Sequence, residues 1–262
     1  MRANELKKRW TAGEKTLNGW LAIPNGFSAE IMAHQGFDSL TVDMQHGLVD
    51  YQAAVAMLQA ISTTSTVPLV RVPWNEPGIL QKMLDAGAYG IICPMINSRA
   101  EAEAFVAACR YPPAGSRSFG PIRATIYGGA DYPQHANVEV LTLAMIETKQ
   151  AVANLADILA VEGLDGVYVG PADLANSLGV APGFDPENET VVEAIRTIVD
   201  TTKQRGKVAG IHCGSPAYIK RMWSIGFDYA TLLSDARLMA MKAAELLSEL
   251  KDRASGPTSS TY

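Results

Sequence analysis

Cysteine is scarce, charge is modest and no long hydrophobic run exists in this 262-residue sequence. The cysteines (Cys93, Cys109 and Cys213) form an odd set without CxxC spacing. Neither a disulfide framework nor a cysteine metal motif is therefore expected, and a reduced, cytoplasmic protein is the economical reading. The longest apolar stretches, such as Gly90 to Met95, fall far short of the roughly 20 residues that cross a bilayer. The opening MRANELKKRW is basic but no apolar segment follows it, so no secretory signal is expected. Positive charge is in deficit, with 22 Lys and Arg against 27 Asp and Glu and a net charge of −5. That balance speaks against nucleic-acid or anionic-membrane binding and leaves a small anion only a local basic site. With 48% hydrophobic and 19% charged residues, the chain lacks the signature of disorder and can fill a substantial core.

What is present is a regular alternation. Short continuous apolar runs bounded by turn residues predict strands at Leu17–Ile23, Ser39–Asp43, Pro68–Val72, Gly90–Pro94, Val140–Glu147, Gly166–Val169, Val208–Ile211 and Tyr229–Leu233. Such runs suit parallel strands covered on both faces. Between them, Ser28–Gln35, Tyr51–Ile61, Glu76–Ala86, Ser98–Cys109, Gln150–Ala160, Thr190–Arg205, Pro216–Ile225 and Ala236–Leu250 read as helices. Ser28, Asn75, Ser98 and Ser215 are their N-cap candidates, and Gly36, Gly87, Gly206 and Gly226 sit where helices should stop. This pattern predicts an α/β chain forming one (β/α)₈ TIM barrel over residues 1–253, with a disordered polar tail at 254–262. A doubly wound open sheet is the rival, but no GxGxxG follows an early strand. The Gly/Pro/Arg/Ser-rich stretch Tyr111–Asn137 is too long for a simple turn and is expected to be a site-covering loop.

In such a barrel the chemistry gathers where strands end at their C-termini. Glu147 and Asp173 follow strands five and six, where two carboxylates can share a hard divalent cation, unless each caps a helix or pairs with a lysine. Gly170-Pro171 ahead of Ala172-Asp173 forces a tight turn that exposes backbone to a ligand. His46 ends strand two and is the residue type best suited to general acid–base work, with Asp43 close enough in sequence to orient it. His212, at the end of strand seven, is a second candidate base. Arg71 terminates an apolar run and needs a partner there; it suits a carboxylate or a developing enolate, or else a structural salt bridge. Asp85, in the helix after strand three, can pair with Arg71 or His46, or sit on the surface. The ten lysines fall in the N-terminal segment, in helices, at helix edges or at the wrong end of strand seven, which disfavours a Schiff-base mechanism.

The segments VDMQHG (42–47), VRVPWNEP (70–77), LDAGAYGIICPM (84–95), RYPPAGSRSFG (110–120), IET (146–148) and EGLDGVYVGPADL (162–174) resemble the class II, metal-dependent pyruvate aldolases. This is the family of 4-hydroxy-2-oxoheptanedioate aldolase and 2-dehydro-3-deoxyglucarate aldolase. The resemblance runs from about residue 5 to about residue 250. It implies a (β/α)₈ barrel, a homo-oligomer (a hexamer), a divalent cation (Mg²⁺, Mn²⁺ or Co²⁺), and cleavage of 4-hydroxy-2-oxo acids to pyruvate and an aldehyde. By the same resemblance Glu147 and Asp173 hold the metal, His46 transfers the proton and Arg71 stabilises enolate charge. Asp85 raises the basicity of His46, and Gly170, Pro171, Ala172 and Asp173 meet the substrate, Ala172 through its backbone. Two positions depart from the heptanedioate pattern: Gln45 where Glu is expected, and Met145 where Gln is expected. Both touch specificity rather than the metal or the base. The alternatives are a lyase of the citrate lyase β-subunit type and a non-catalytic carboxylate-binding barrel.

Overall fold

The computed structural model describes residues 1–251, so the expected polar tail at 254–262 lies outside the described residues. The chain opens on α1 (Glu5–Thr11) and continues through β1 (Thr16–Leu21), α2 (Gly26–Ala33), β2 (Ser39–Asp43), α3 (Tyr51–Ile61), β3 (Val67–Arg71), α4 (Pro77–Asp85), β4 (Gly90–Cys93) and α5 (Arg99–Cys109). It then forms α6 (Ile122–Gly128), α7 (Tyr132–Glu139), β5 (Leu141–Ile146), α8 (Lys149–Ala153), α9 (Leu155–Leu159), β6 (Gly166–Val169) and α10 (Pro171–Ser177). The last elements are α11 (Glu189–Gln204), β7 (Val208–Cys213), α12 (Pro216–Ser224), β8 (Tyr229–Leu232) and α13 (Asp235–Lys251). The strands pair in sequence order, all parallel, and β8 closes on β1 with Thr16 opposite Tyr229. The predicted TIM barrel is the observed fold.

The strands form where predicted because each is buried on both faces. β2, β3, β4, β5 and β6 contain only buried residues, which continuous Val/Ile/Leu runs satisfy and alternating ones would not. The barrel interior nonetheless holds a polar layer with its hydrogen bonds made. Ser39 Oγ and Thr41 Oγ1 donate to Asn18 Oδ1, and Asn18 Nδ2 donates to Thr231 Oγ1.

Three turns share one device. Asp38, Asp165 and Asp228 each precede or open a strand within a Gly-x-Asp triplet whose glycine has positive φ. Their carboxylates accept N–H bonds from Leu17, Thr142 and Ala209 on neighbouring strands, at 2.7, 2.8 and 3.1 Å. Each thereby fastens two strands together at the N-terminal end of the barrel.

Several expectations change. The helix predicted from Ser28 starts earlier, capped by Asn25, and that predicted at Glu76 is capped by Glu76 itself rather than Asn75. Gln150–Ala160 is two short helices meeting at Asn154, whose side chain donates to Asn97 O. α1 and α10 were not predicted. The larger correction concerns Tyr111–Asn137. It follows α5 and leads into β5, so it lies at the N-terminal end of the barrel, opposite the strand ends that carry the site residues. Arg123, in α6, donates to Ala86 O and Leu58 O at the ends of α4 and α3. In its own chain the segment packs against the barrel base as two helices and covers no site.

Candidate active site

Strand register builds the first part of the site. Asp43 and Arg71 are the last residues of β2 and β3 and stand opposite each other in the ladder. Arg71 Nε donates to Asp43 Oδ1 at 2.8 Å and Nη2 to Oδ2 at 2.6 Å, a two-pronged pair. Both residues are buried, Arg71 with 8% of its surface exposed. Burial pushes the Asp43 carboxyl up, but the Arg71 charge and hydrogen bonds from Arg71, Trp20 and Gln45 N outweigh it and hold it below the usual carboxylate value. Arg71 also lies over the Trp20 ring at 4.8 Å. Among the described residues no acceptor meets Arg71 Nη1, so one edge of the guanidinium is open.

Asp43 does more than pair. Its Oδ1 accepts the backbone N–H of Gln45 at 3.0 Å and of His46 at 3.3 Å, and its Oδ2 accepts Trp20 Nε1–H at 3.1 Å. It therefore shapes the turn that presents His46, and does so through the main chain; the expected contact with the imidazole is not made. Gly47 completes that turn because a Cβ there would lie 2.2 Å from Asp43 O. Gln45 Oε1 beside it is buried without a hydrogen-bond partner.

The carboxylate half comes from β5 and β6. Glu147 follows Ile146, which pairs with Val169 on β6, and Gly170 follows Val169. This register sets Glu147 against Gly170, where a Cβ would come within 2.6 Å of Glu147 Oε2. Glu147 Oε1 accepts the N–H of Met95 at 2.8 Å, and Met95 holds φ at 56° to deliver it, a backbone region that non-glycine residues rarely occupy. Burial raises the Glu147 carboxyl to about 7, and the Asp173 charge adds to the rise; the Met95 N–H and the Arg71 charge act against it. Asp173 is exposed, in the first turn of α10. Neither acid caps a helix: Thr148 caps α8, and α10 has no side-chain cap. Among the described residues neither is in an ion pair.

The remaining predicted residues fall in two places. Gly170, Pro171 and Ala172 form the start of α10 beside Glu147. Asp85 is not brought to the site. It ends α4, the helix that runs back from β3, and its Oδ1 accepts from Arg117 Nη2 at 2.7 Å. Neither Arg71 nor His46 of the same chain is its partner, since nine helical residues at about 1.5 Å each carry it toward the other end of the barrel. His212 is at the site but is not built as a base. Burial drives it down to about 3, so it stays neutral, and its Nδ1 lies 3.2 Å from Tyr168 Oη. Trp20 and Tyr168 were not singled out by sequence reasoning, because an aromatic in a strand reads equally well as core.

Among the described residues no group of three or more His, Cys, Asp or Glu is placed to hold a metal. The chain thus offers two carboxylates, one of them buried, near each other and without a cationic partner of their own. Hard oxygen donors with open positions match a divalent cation that keeps water and substrate oxygens in its coordination shell.

Gly170→Ala tests this construction. The added methyl meets the end of a side chain, so the fold should tolerate it, with melting within a few degrees of wild type. The Glu147 carboxylate must move aside, and activity should fall at least tenfold; full activity would show that the close Gly170–Glu147 approach has no bearing on the site.

The family model described as HpcH/HpaI aldolase/citrate lyase matches residues 18–232. A hydroxypyruvate/pyruvate aldolase of Rhizorhabdus wittichii is 41% identical over 95% of this chain and 99% of its own. A 4-hydroxy-2-oxo-heptane-1,7-dioate aldolase of Salmonella dublin is 37% identical over 93% of each chain. A crystal structure of an HpcH/HpaI aldolase/citrate lyase family protein from Burkholderia cenocepacia superposes with a TM-score of 0.89 at 32% identity, covering 95% of this chain and 99% of that one. This chain belongs to the HpcH/HpaI aldolase/citrate lyase family.

Proposed function

We propose that the protein is a divalent-metal-dependent aldolase that reversibly cleaves 4-hydroxy-2-oxo acids to pyruvate, or a related 2-oxo acid, and an aldehyde. The observation that carries this is the pair Glu147 and Asp173, facing Arg71 and the His46 turn across the C-terminal end of one barrel. The family name spans aldolases and citrate lyases, and both curated relatives above are aldolases, which favours the aldolase reading over the citrate lyase one.

Glu147 and Asp173 would hold the cation, Mg²⁺, Mn²⁺ or Co²⁺, which when bound polarises the 2-oxo group as a Lewis acid. The first turn of α10, with the Ala172 backbone, receives the substrate carboxylate, since first-turn N–H groups lack intrahelical acceptors. Arg71 Nη1 faces the oxygen on which enolate charge develops, and the Asp43 pair keeps the guanidinium aimed there before the substrate arrives. His46 takes the proton of the 4-hydroxyl as the C3–C4 bond breaks. Protonation of the enolate at C3 then yields pyruvate.

We further infer a homo-oligomer, and by family resemblance a hexamer. α13 supports it, with Met239 63% and Leu250 83% exposed and Met241, Leu246 and Leu247 also exposed. A barrel helix in a monomer needs only one apolar stripe. Asp85 can act on His46 only from another copy, given its place at the end of α4. The three buried, unpaired thiols support a reducing, cytoplasmic setting, and among the described residues no helix is long and apolar enough to cross a membrane.

The expected outcomes are these. Pyruvate release from a panel of 4-hydroxy-2-oxo acids should stop with EDTA and return with Mg²⁺, Mn²⁺ or Co²⁺. Glu147→Gln and Asp173→Asn should be folded and inactive; turnover by chelated enzyme or by either variant sinks the metal assignment. His46→Ala should lose about 10²–10⁴-fold in cleavage while still binding pyruvate, and wild-type cleavage by that variant moves the base elsewhere. Light scattering should show an assembly well above the 28.0 kDa chain. In that assembly, mixing His46→Ala with Asp85→Asn subunits should restore activity lost in each; a fully active 28.0 kDa species rules the shared site out.

A further inference from the structure

His212 occupies a position that the proposed mechanism leaves unused. Its ring stands edge-on to Trp20 at 5.0 Å between centroids and tilts against Phe184 at 5.4 Å. Trp20 in turn stacks on Tyr168 at 5.6 Å and carries Arg71 over its face. His212 therefore belongs to the wall of the site on the β7 and β1 side. The acids Glu147 and Asp173 stand on the β5 and β6 side, and His46 on β2. A substrate with its 2-oxo acid end at Glu147 and Asp173, and its 4-hydroxyl toward His46, must extend its remaining carbons along the wall of Trp20, His212 and Phe184.

The hydrogen bonds behind the wall hold the ring by one nitrogen. Tyr168 Oη is hydrogen-bonded to Thr231 Oγ1 at 2.7 Å and to His212 Nδ1 at 3.2 Å, the second bond being made in either tautomer of the ring. The imidazole is neutral, held so by burial, with the Arg71 charge acting in the same direction. A neutral ring held at Nδ1 keeps one hydrogen-bonding group at Nε2, a lone pair or an N–H according to the tautomer. Among the described residues no hydrogen bond reaches Nε2, and Nε2 is not among the buried atoms that lack a partner, so it is open to the site.

We propose that His212 is a specificity-determining residue whose Nε2 hydrogen-bonds a hydroxyl on the aldehyde portion of the substrate, a group that can pair with either tautomer. The class selected is 2-hydroxyaldehydes, equivalent to aldols bearing a hydroxyl on the carbon next to C4. An aliphatic aldehyde would leave Nε2 facing a methyl group, the arrangement that polar sites reject most strongly. The inference rests on the aldolase reading above and adds to it the chemistry of the second product.

The test compares kcat/KM for addition of pyruvate to glycolaldehyde and to propanal, which places a methyl where glycolaldehyde has its hydroxyl, on Mn²⁺-loaded enzyme. His212→Leu should lower the glycolaldehyde-to-propanal ratio about tenfold, the scale of one hydrogen bond, and His212→Gln, whose amide can pair with a hydroxyl in place of Nε2, should recover most of it. The ratio is independent of how much of a variant is folded. An unchanged ratio in His212→Leu, including equal loss on both aldehydes, overturns the proposal. Should that variant prove insoluble, Tyr168→Phe decides: without its anchor at Nδ1 the ring loses its fixed orientation, and the ratio must fall. Exchange of the pyruvate methyl protons in D₂O by wild-type holoenzyme needs no aldehyde. Without that exchange the aldolase reading and this inference fail together; with exchange but an unchanged ratio, only the inference fails.

Discussion

The two-pronged pair between Asp43 and Arg71 is the constraint on which the site depends. A buried guanidinium is costly without a partner, and the partner is supplied by register alone, since the two residues end adjacent strands and stand opposite each other. Because Asp43 also accepts from the backbone at Gln45 and His46 and from Trp20, one carboxylate fixes the cation, the base-bearing turn and the aromatic wall together. Removing one member of a buried pair typically costs about 3–5 kcal/mol. Here the same change would also release three elements of the site, so its effects on stability and on activity are coupled.

The two ends of the barrel divide the work. At the N-terminal end, charged side chains are tied up. Asp165 accepts from Thr142 N and Arg110 and pairs with Lys7; Lys203 and Lys15 pair with Asp228; Arg117 is fully buried between Asp85 and Tyr132. At the C-terminal end, capacity is left open, with Glu147 Oε2, Asp173, Arg71 Nη1 and His212 Nε2 facing no partner that would satisfy them. Polar groups kept unsatisfied in a folded chain reduce stability; at the base Arg110 Nη1 and Arg117 Nε are left so in the interior, whereas the groups named at the C-terminal end are open to a ligand.

Much of this was legible in the sequence. Continuous apolar runs gave the strands because parallel strands are buried on both faces, and two acids, a histidine and an arginine could be singled out because the chemistry of such a barrel gathers at strand ends. What escaped notice was set by topology rather than by composition. The 111–137 segment and Asp85 both belong to helix-to-strand connections, which return to the base of the barrel; their polar, loop-like composition suggested a lid, but their place in the alternation rules it out within the chain. Asp43 looked like a partner for His46 by proximity in sequence, whereas lateral register gave it to Arg71. The Gly-x-Asp triplets at 36–38, 163–165 and 226–228 were not singled out, because only the cross-strand N–H bonds reveal what they do.

The two halves of the site also differ in what they allow to vary. The carboxylate half is dictated by backbone: Glu147 fits because Gly170 has no Cβ, and it is steered by an N–H that Met95 delivers only with positive φ. Few substitutions suit such geometry, and the departures from the heptanedioate pattern leave Glu147 and Asp173 in place. The opposite wall is made of side chains, Trp20, Tyr168, Phe184 and His212, packed ring on ring. A ring can be exchanged for another side chain without moving a strand, whereas the carboxylate half is tied to backbone positions. Under the proposed reading, that asymmetry puts the choice of aldehyde in the wall and the enolate chemistry in the half that geometry holds fixed.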